Sequence, residues 1–209
     1  MLRKLGTLLA LLILVSVALY LSAGRNPGAA PKAPAGGVRA WKTPSEADLE
    51  RLKGEKGMRA SQPALKKMRP ATVVRVVDGD TVELDLGGKA EKVRLLNVNT
   101  PETVDPRKPV EEYGREASAF ARSVLTPGLK VYVKPDVEER DRYGRLLLHL
   151  YLEDGTWFNA LLIRAGYAQL MTISPNVSAA GFFRELQARA RKEEIGLWQI
   201  EAYRNPPKK

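Results

Sequence analysis

The sequence predicts an α+β domain in which five β-strands close into a small barrel carrying three helices. Two observations carry that prediction. Residues 72–98 read as three apolar, β-branched or alternating runs joined by tight turns, and residues 110–194 interleave two more strand runs with three apolar patterns at helical spacing.

The first strand is Thr72–Val77, β-branched and apolar. Thr81–Leu86 alternates, and Gly87-Gly88 supplies a tight turn into Lys92–Val98, giving three consecutive antiparallel strands. A loop with Pro101, Pro106 and Pro109 leads to a helix over Val110–Leu125, where Tyr113, Ala117, Phe120, Ala121 and Val124 share one face. After Gly128, Lys130–Val133 is the fourth strand. A charged turn leads to the fifth, Arg145–Leu152, whose hairpin closes at Asp154-Gly155. One helix around Phe158–Arg164 stops at Gly166, and a last amphipathic helix over about Gly181–Glu194 is capped by Gly196. This order fits the five-stranded oligonucleotide-binding (OB-fold) β-barrel. His149, alternating with Leu148 and Leu150, reads as structural, and Trp157, Phe158, Phe182, Phe183 and Trp198 as core.

Upstream, Arg3 and Lys4 precede an apolar run from Leu5 to Leu21 and the small residues Ser22, Ala23 and Gly24. Residues 1–24 are therefore a cleavable signal peptide or a retained N-terminal membrane anchor. Residues 25–70 form a Pro/Ala/Lys-rich linker with one short helix after Ser45, residues 71–199 the domain, and residues 200–209 a basic tail. Of the net charge of +10, residues 1–70 carry +9 and 200–209 carry +2, leaving 71–199 at −1. The excess cations thus suit an anionic cell surface or membrane contacted through residues 1–70, and do not by themselves mark a substrate groove.

With 0 Cys and 1 His, thiolate nucleophiles, disulfides and paired-imidazole chemistry are excluded. Any catalysis must use carboxylates, arginines and oxygen-bound metal. Two polar clusters interrupt the strand ends, Asp78-Gly79-Asp80-Thr81 and Asn99-Thr100-Pro101-Glu102, and one hairpin between them should bring both to the same end of the barrel. Asp80, the Asn99 amide oxygen and the Thr100 carbonyl could supply a hard divalent cation with oxygen ligands. Arg94, among Val93, Leu95 and Leu96, needs an anionic partner or substrate if buried. Taken singly, the clusters also read as turns or solvated hairpins.

Taken together with Tyr113-Gly114-Arg115-Glu116-Ala117 and Asp141-Arg142-Tyr143-Gly144-Arg145, they resemble the thermonuclease, or staphylococcal-nuclease-like, family from about Ala71 to Trp198. The resemblance implies an OB-fold barrel with three helices, here expected as a monomer that the N-terminal segment exports or anchors at the surface. It further implies calcium-dependent hydrolysis of phosphodiester bonds in DNA and RNA, single strands favoured. Asp80 matches the metal carboxylate, Thr100 the carbonyl ligand, Glu102 the general base, Arg94 and Arg145 the phosphate clamps, and Tyr143 a substrate-binding aromatic. Asn99 stands where family members have a second metal aspartate, and Met171 and Ile173 stand where they have pocket tyrosines. The alternative expectation is a non-catalytic OB-fold module that binds nucleic acid or protein.

Overall fold

The computed structural model describes residues 43–103 and 111–206. The signal or anchor segment 1–24 and most of the Pro101–Pro109 loop lie outside the described residues. Five strands, β1 (Arg69–Asp78), β2 (Thr81–Asp85), β3 (Ala90–Leu95), β4 (Lys130–Arg140) and β5 (Leu146–Leu152), close a barrel in the order β1-β2-β3-β5-β4. Every pairing is antiparallel except β3 with β5. Alternation fills the barrel from each strand: Val73, Val82, Leu84, Val93, Leu95, Val131, Val133, Leu148 and Leu150 are all buried.

The three expected helices are present as α3 (Gly114–Val124), α4 (Phe158–Arg164) and α5 (Ala180–Lys192). The first starts later than its apolar pattern, because Tyr113 takes a left-handed conformation (φ 68°) that cannot continue a right-handed helix. All of α4 is buried between β5 and α5, as are Phe183, Leu186 and Ala190 of α5. Of the expected core aromatics, Phe158, Phe183 and Trp198 are buried and Trp157 and Phe182 half-buried, the last two stacked at 5.7 Å. His149 is buried with its ring edge toward Trp157.

Three boundaries differ from the sequence pattern. β4 runs to Arg140 because its charged second half, shifted in register after Pro135, still pairs Arg140 with Leu146. β3 ends at Leu95, since Asn97 (φ 62°) turns the chain off the sheet. Residues 43–70, expected as linker, pack on the domain. The short helix after Ser45 is α1 (Glu46–Lys53), closed by a capping box between Ser45 and Asp48, and a second turn, α2 (Gln62–Leu65), follows. Leu52, Met58 and Leu65 are fully buried, and the Met58 carbonyl accepts the Trp157 amide at 2.8 Å. So few apolar residues among so many charges gave no periodic signal. At the other end, Ile200 is buried and Glu201–Arg204 forms one further helical turn, α6. Among the described residues no helix is long and apolar enough to cross a membrane.

Candidate active site

The site forms where β1 turns into β2 and β3 leaves the sheet. Antiparallel register sets Thr81 opposite Arg94, so Asp80 and Arg94 meet at the sheet end. Parallel register sets Arg94 beside Leu147, which brings the start of β5, with Arg145, alongside β3. Beyond Asn97 the chain is pinned by a reciprocal pair, Asn99 N to the Gln169 carbonyl and Gln169 N to the Asn99 carbonyl, both 2.8 Å. That pair fixes where Asn99 and Thr100 can reach.

Arg94 is only 5% exposed and has its anionic partner. Its Nη1 donates to the carbonyls of Leu95 (3.0 Å) and Val98 (2.8 Å). Its Nη2 lies 3.1 Å from Asp80 Oδ2 and 3.3 Å from Asn99 Oδ1, so the two oxygens converge on one nitrogen. Burial lowers the Arg94 pKa, the Asp80 carboxylate opposes the shift, and the nearby Arg145 charge adds to it.

Asp80 Oδ2 also accepts the Thr100 amide at 3.0 Å, and its Oδ1 the Thr81 hydroxyl at 3.0 Å. The approach is close: a Cβ on Gly79 would sit 2.7 Å from the Thr100 methyl. Only glycine fits between the two clusters. The Thr100 hydroxyl is buried without a partner among the described groups. Glu102, half-buried, follows on the same loop, its amide donating to Glu111 Oε2 at 3.1 Å.

Arg145 is oriented by Asp141. Asp141 Oδ1 accepts the amides of Tyr143 (2.9 Å) and Arg145 (3.0 Å), while Oδ2 receives the Arg145 guanidinium. Burial pushes the Asp141 carboxyl up, but these bonds outweigh it and hold it below the ordinary value. Tyr143, 68% exposed, has the Arg142 and Arg145 guanidiniums 4.8 and 5.4 Å from its ring centre. Met171 is exposed and Ile173 half-buried.

The structure therefore joins Asp80, Arg94, Asn99 and Thr100 by direct contact, sets Glu102 on their loop, and places Tyr143 against Arg145 in the turn between β4 and β5. Sequence reasoning assigned no role to four polar residues that bond at or beside these: Asp141, which binds Arg145, and Asp78, whose Oδ1 accepts the hydroxyls of Thr103 and Ser118. Asp141 had a signal, since an aspartate opening a turn that returns two residues later is placed to accept its amides. Thr103 and Ser118 had none. Among the described residues no three His, Cys, Asp or Glu side chains gather as a metal cage. The oxygens gathered on Arg94 are instead one carboxylate, one carboxamide and two backbone carbonyls.

Comparison with known proteins agrees with this geometry. The family model for staphylococcal nuclease homologues matches residues 92–200. The thermonuclease of Staphylococcus intermedius is 39% identical over 127 residues, covering 61% of this chain and 74% of that protein. The thermonuclease of Staphylococcus hyicus is 40% identical over 126 residues, covering 60% and 73%. Endonuclease YncB of Bacillus subtilis is 34% identical over 140 residues, covering 66% and 65%. Arg94, Asn99, Thr100, Glu102 and Arg145 all fall within the family match, which spans just over half the sequence, and the chain belongs to the staphylococcal nuclease homologue family.

Proposed function

We propose that this nuclease-type hydrolase is an exported, calcium-dependent enzyme that cleaves phosphodiester bonds of DNA and RNA. The observation that carries the reading is the convergence of Asp80 Oδ2 and Asn99 Oδ1 on one nitrogen of buried Arg94, with Glu102 on the adjoining loop. A divalent cation of the hard, oxygen-seeking kind fits a donor set made only of oxygens. Asp80, the Asn99 amide oxygen and the Thr100 carbonyl would hold it. Such an ion supplies charge neutralisation at a phosphoryl oxygen.

The chain's own groups do the rest. Arg145, fixed in orientation by Asp141, presents its remaining N–H donors to a phosphate, and planar guanidiniums match phosphate oxygens bidentately. Arg94 is largely committed to Leu95, Val98, Asp80 and Asn99. Its contribution to a phosphate is therefore chiefly a fixed, poorly solvated positive charge. Glu102 orients and deprotonates the attacking water. Tyr143 offers an exposed ring for a base or sugar to stack on. The apolar run Leu5–Leu21 after Arg3 and Lys4 supports export, and the basic segment 1–70 supports contact with an anionic surface once outside.

The full chain, incubated with single-stranded DNA and with RNA in calcium, in magnesium and in chelator, tests the proposal. Cleavage in calcium that stops in chelator is the expected result. Cleavage indifferent to chelator, or none in any condition, overturns it.

A further inference from the structure

The turn between β1 and β2 carries two carboxylates, and both reach the loop that bears Glu102, one on each side of it. On the near side Asp80 Oδ2 accepts the Thr100 amide at 3.0 Å. On the far side Asp78 Oδ1 accepts the Thr103 hydroxyl at 2.7 Å. The same Asp78 oxygen accepts the Ser118 hydroxyl of α3 at 2.5 Å and the Gly79 amide at 2.8 Å. Asp78 is buried, so its charge is held almost wholly by these bonds.

An aspartate whose work ended at the turn would bond only its neighbours. Asp78 instead gathers hydroxyls from 25 and 40 residues away. The loop between the anchors has little slack. Pro101 fixes one backbone torsion. The Glu102 amide and carbonyl are matched by the Glu111 carboxylate (3.1 Å) and amide (3.0 Å). Gly114, opening α3, lies so near that a Cβ there would meet the Thr103 methyl at 2.6 Å.

We propose that Asp78 is a positioning residue for Glu102, acting through Thr103 and braced by Ser118, so that helix α3 and the β1–β2 turn together set where the Glu102 carboxylate stands. This rests on the catalytic reading of Glu102. Losing the Thr103 bond frees the far end of the loop while leaving Asp80, Asn99 and Thr100 where they are.

Steady-state cleavage of single-stranded DNA by the full chain in calcium tests it, using Thr103→Val, Thr103→Ser and Glu102→Gln singly, and Thr103→Val combined with Glu102→Gln. Thr103→Val should lower kcat by about 10-fold to 100-fold, with KM and the calcium midpoint within about twofold of the parent, because a misplaced group costs turnover more than binding. Thr103→Ser, which restores the hydroxyl, should recover most of kcat. In the Glu102→Gln background, Thr103→Val should cost nothing further. A loss from Thr103→Val that persists undiminished in that background overturns the proposal while leaving Glu102 catalytic. No loss from Thr103→Val in a folded protein also overturns it. No loss from Glu102→Gln alone removes the catalytic reading and the positioning role with it. Should Thr103→Val fail to fold, Ser118→Ala replaces it in the same comparison and is judged by the same outcomes.

Discussion

Asp141 holds the Arg145 guanidinium through a single oxygen: Oδ2 accepts both Nε and Nη2 at 2.7 Å. A flexible cation is thereby turned into a fixed one, and the ordering cost is met before substrate arrives. In Asp141→Ala the arginine keeps its charge and loses its direction. Cleavage should fall about 10-fold to 100-fold, with a smaller change in nucleic-acid affinity. Kinetics on single-stranded DNA check this, and a change confined to affinity would contradict the orienting role.

In the proposed mechanism Glu102→Gln preserves shape and removes the base. Turnover should drop by about 10² to 10⁴, while the thermal midpoint stays within a few degrees. Wild-type turnover in the folded variant would remove Glu102 from the mechanism.

At Asn99 the proposed calcium site has a neutral ligand. Asn99→Asp adds one negative charge to the oxygen set, and affinity for calcium rises with ligand charge. The calcium concentration giving half-maximal cleavage should fall by about tenfold. An unchanged midpoint would place the ion away from residue 99.

Arg164 is buried on α4 and ties two distant segments, bonding Glu55 of the N-terminal arm (Nε to Oε1 and Oε2, 3.0 Å each) and Glu193 beyond α5 (Nη2 to Oε1, 2.7 Å). Removing one of its two carboxylate partners leaves the buried Arg164 charge only partly compensated. Glu55→Ala, which leaves Glu193 in place, should destabilise the fold by about 2–3 kcal/mol, measured by urea unfolding. A change under about 0.5 kcal/mol would show that the arm does not depend on this pair.

His149 makes stability depend on pH. Burial holds its pKa down to about 4, against 6.5 for the free imidazole. Between those values the unfolded chain binds a proton that the folded chain refuses, so stability rises with pH across the window. Falling from pH 6.5 to pH 4 should cost about 3 kcal/mol from this residue. Urea midpoints at pH 4.5 and 7 should therefore differ more for the wild type than for His149→Leu, and equal differences would refute the assignment.

The barrel and its three helices were legible because Val73, Leu84, Val93 and Leu150 sit in alternating runs, and Ala117, Phe120 and Ala121 at helical spacing. The meeting of Asp80 with Thr100 was legible too, since one hairpin separates their clusters. What stayed hidden were contacts that no period announces. Leu52, Met58 and Leu65 are isolated in a charged stretch, so their burial against the domain leaves no pattern. Thr103 and Ser118 are ordinary loop and helix residues until Asp78 brings them together. Arg94's commitment to two carbonyls depends on Asn97 turning the chain, and a left-handed asparagine cannot be told from any other asparagine in a sequence.

The one parallel seam of the barrel, β3 against β5, joins residues more than fifty positions apart, whereas β1, β2 and β3 zip from neighbour to neighbour. Long-range pairings of this kind form late. Arg94 stands on one side of that seam and Arg145 on the other, so a chain that has built its first three strands has only one of the two proposed phosphate-binding arginines in place. Recovery of cleavage on refolding should accordingly track the slowest structural phase, and under the proposed export a chain still threading outward would not yet be a competent nuclease.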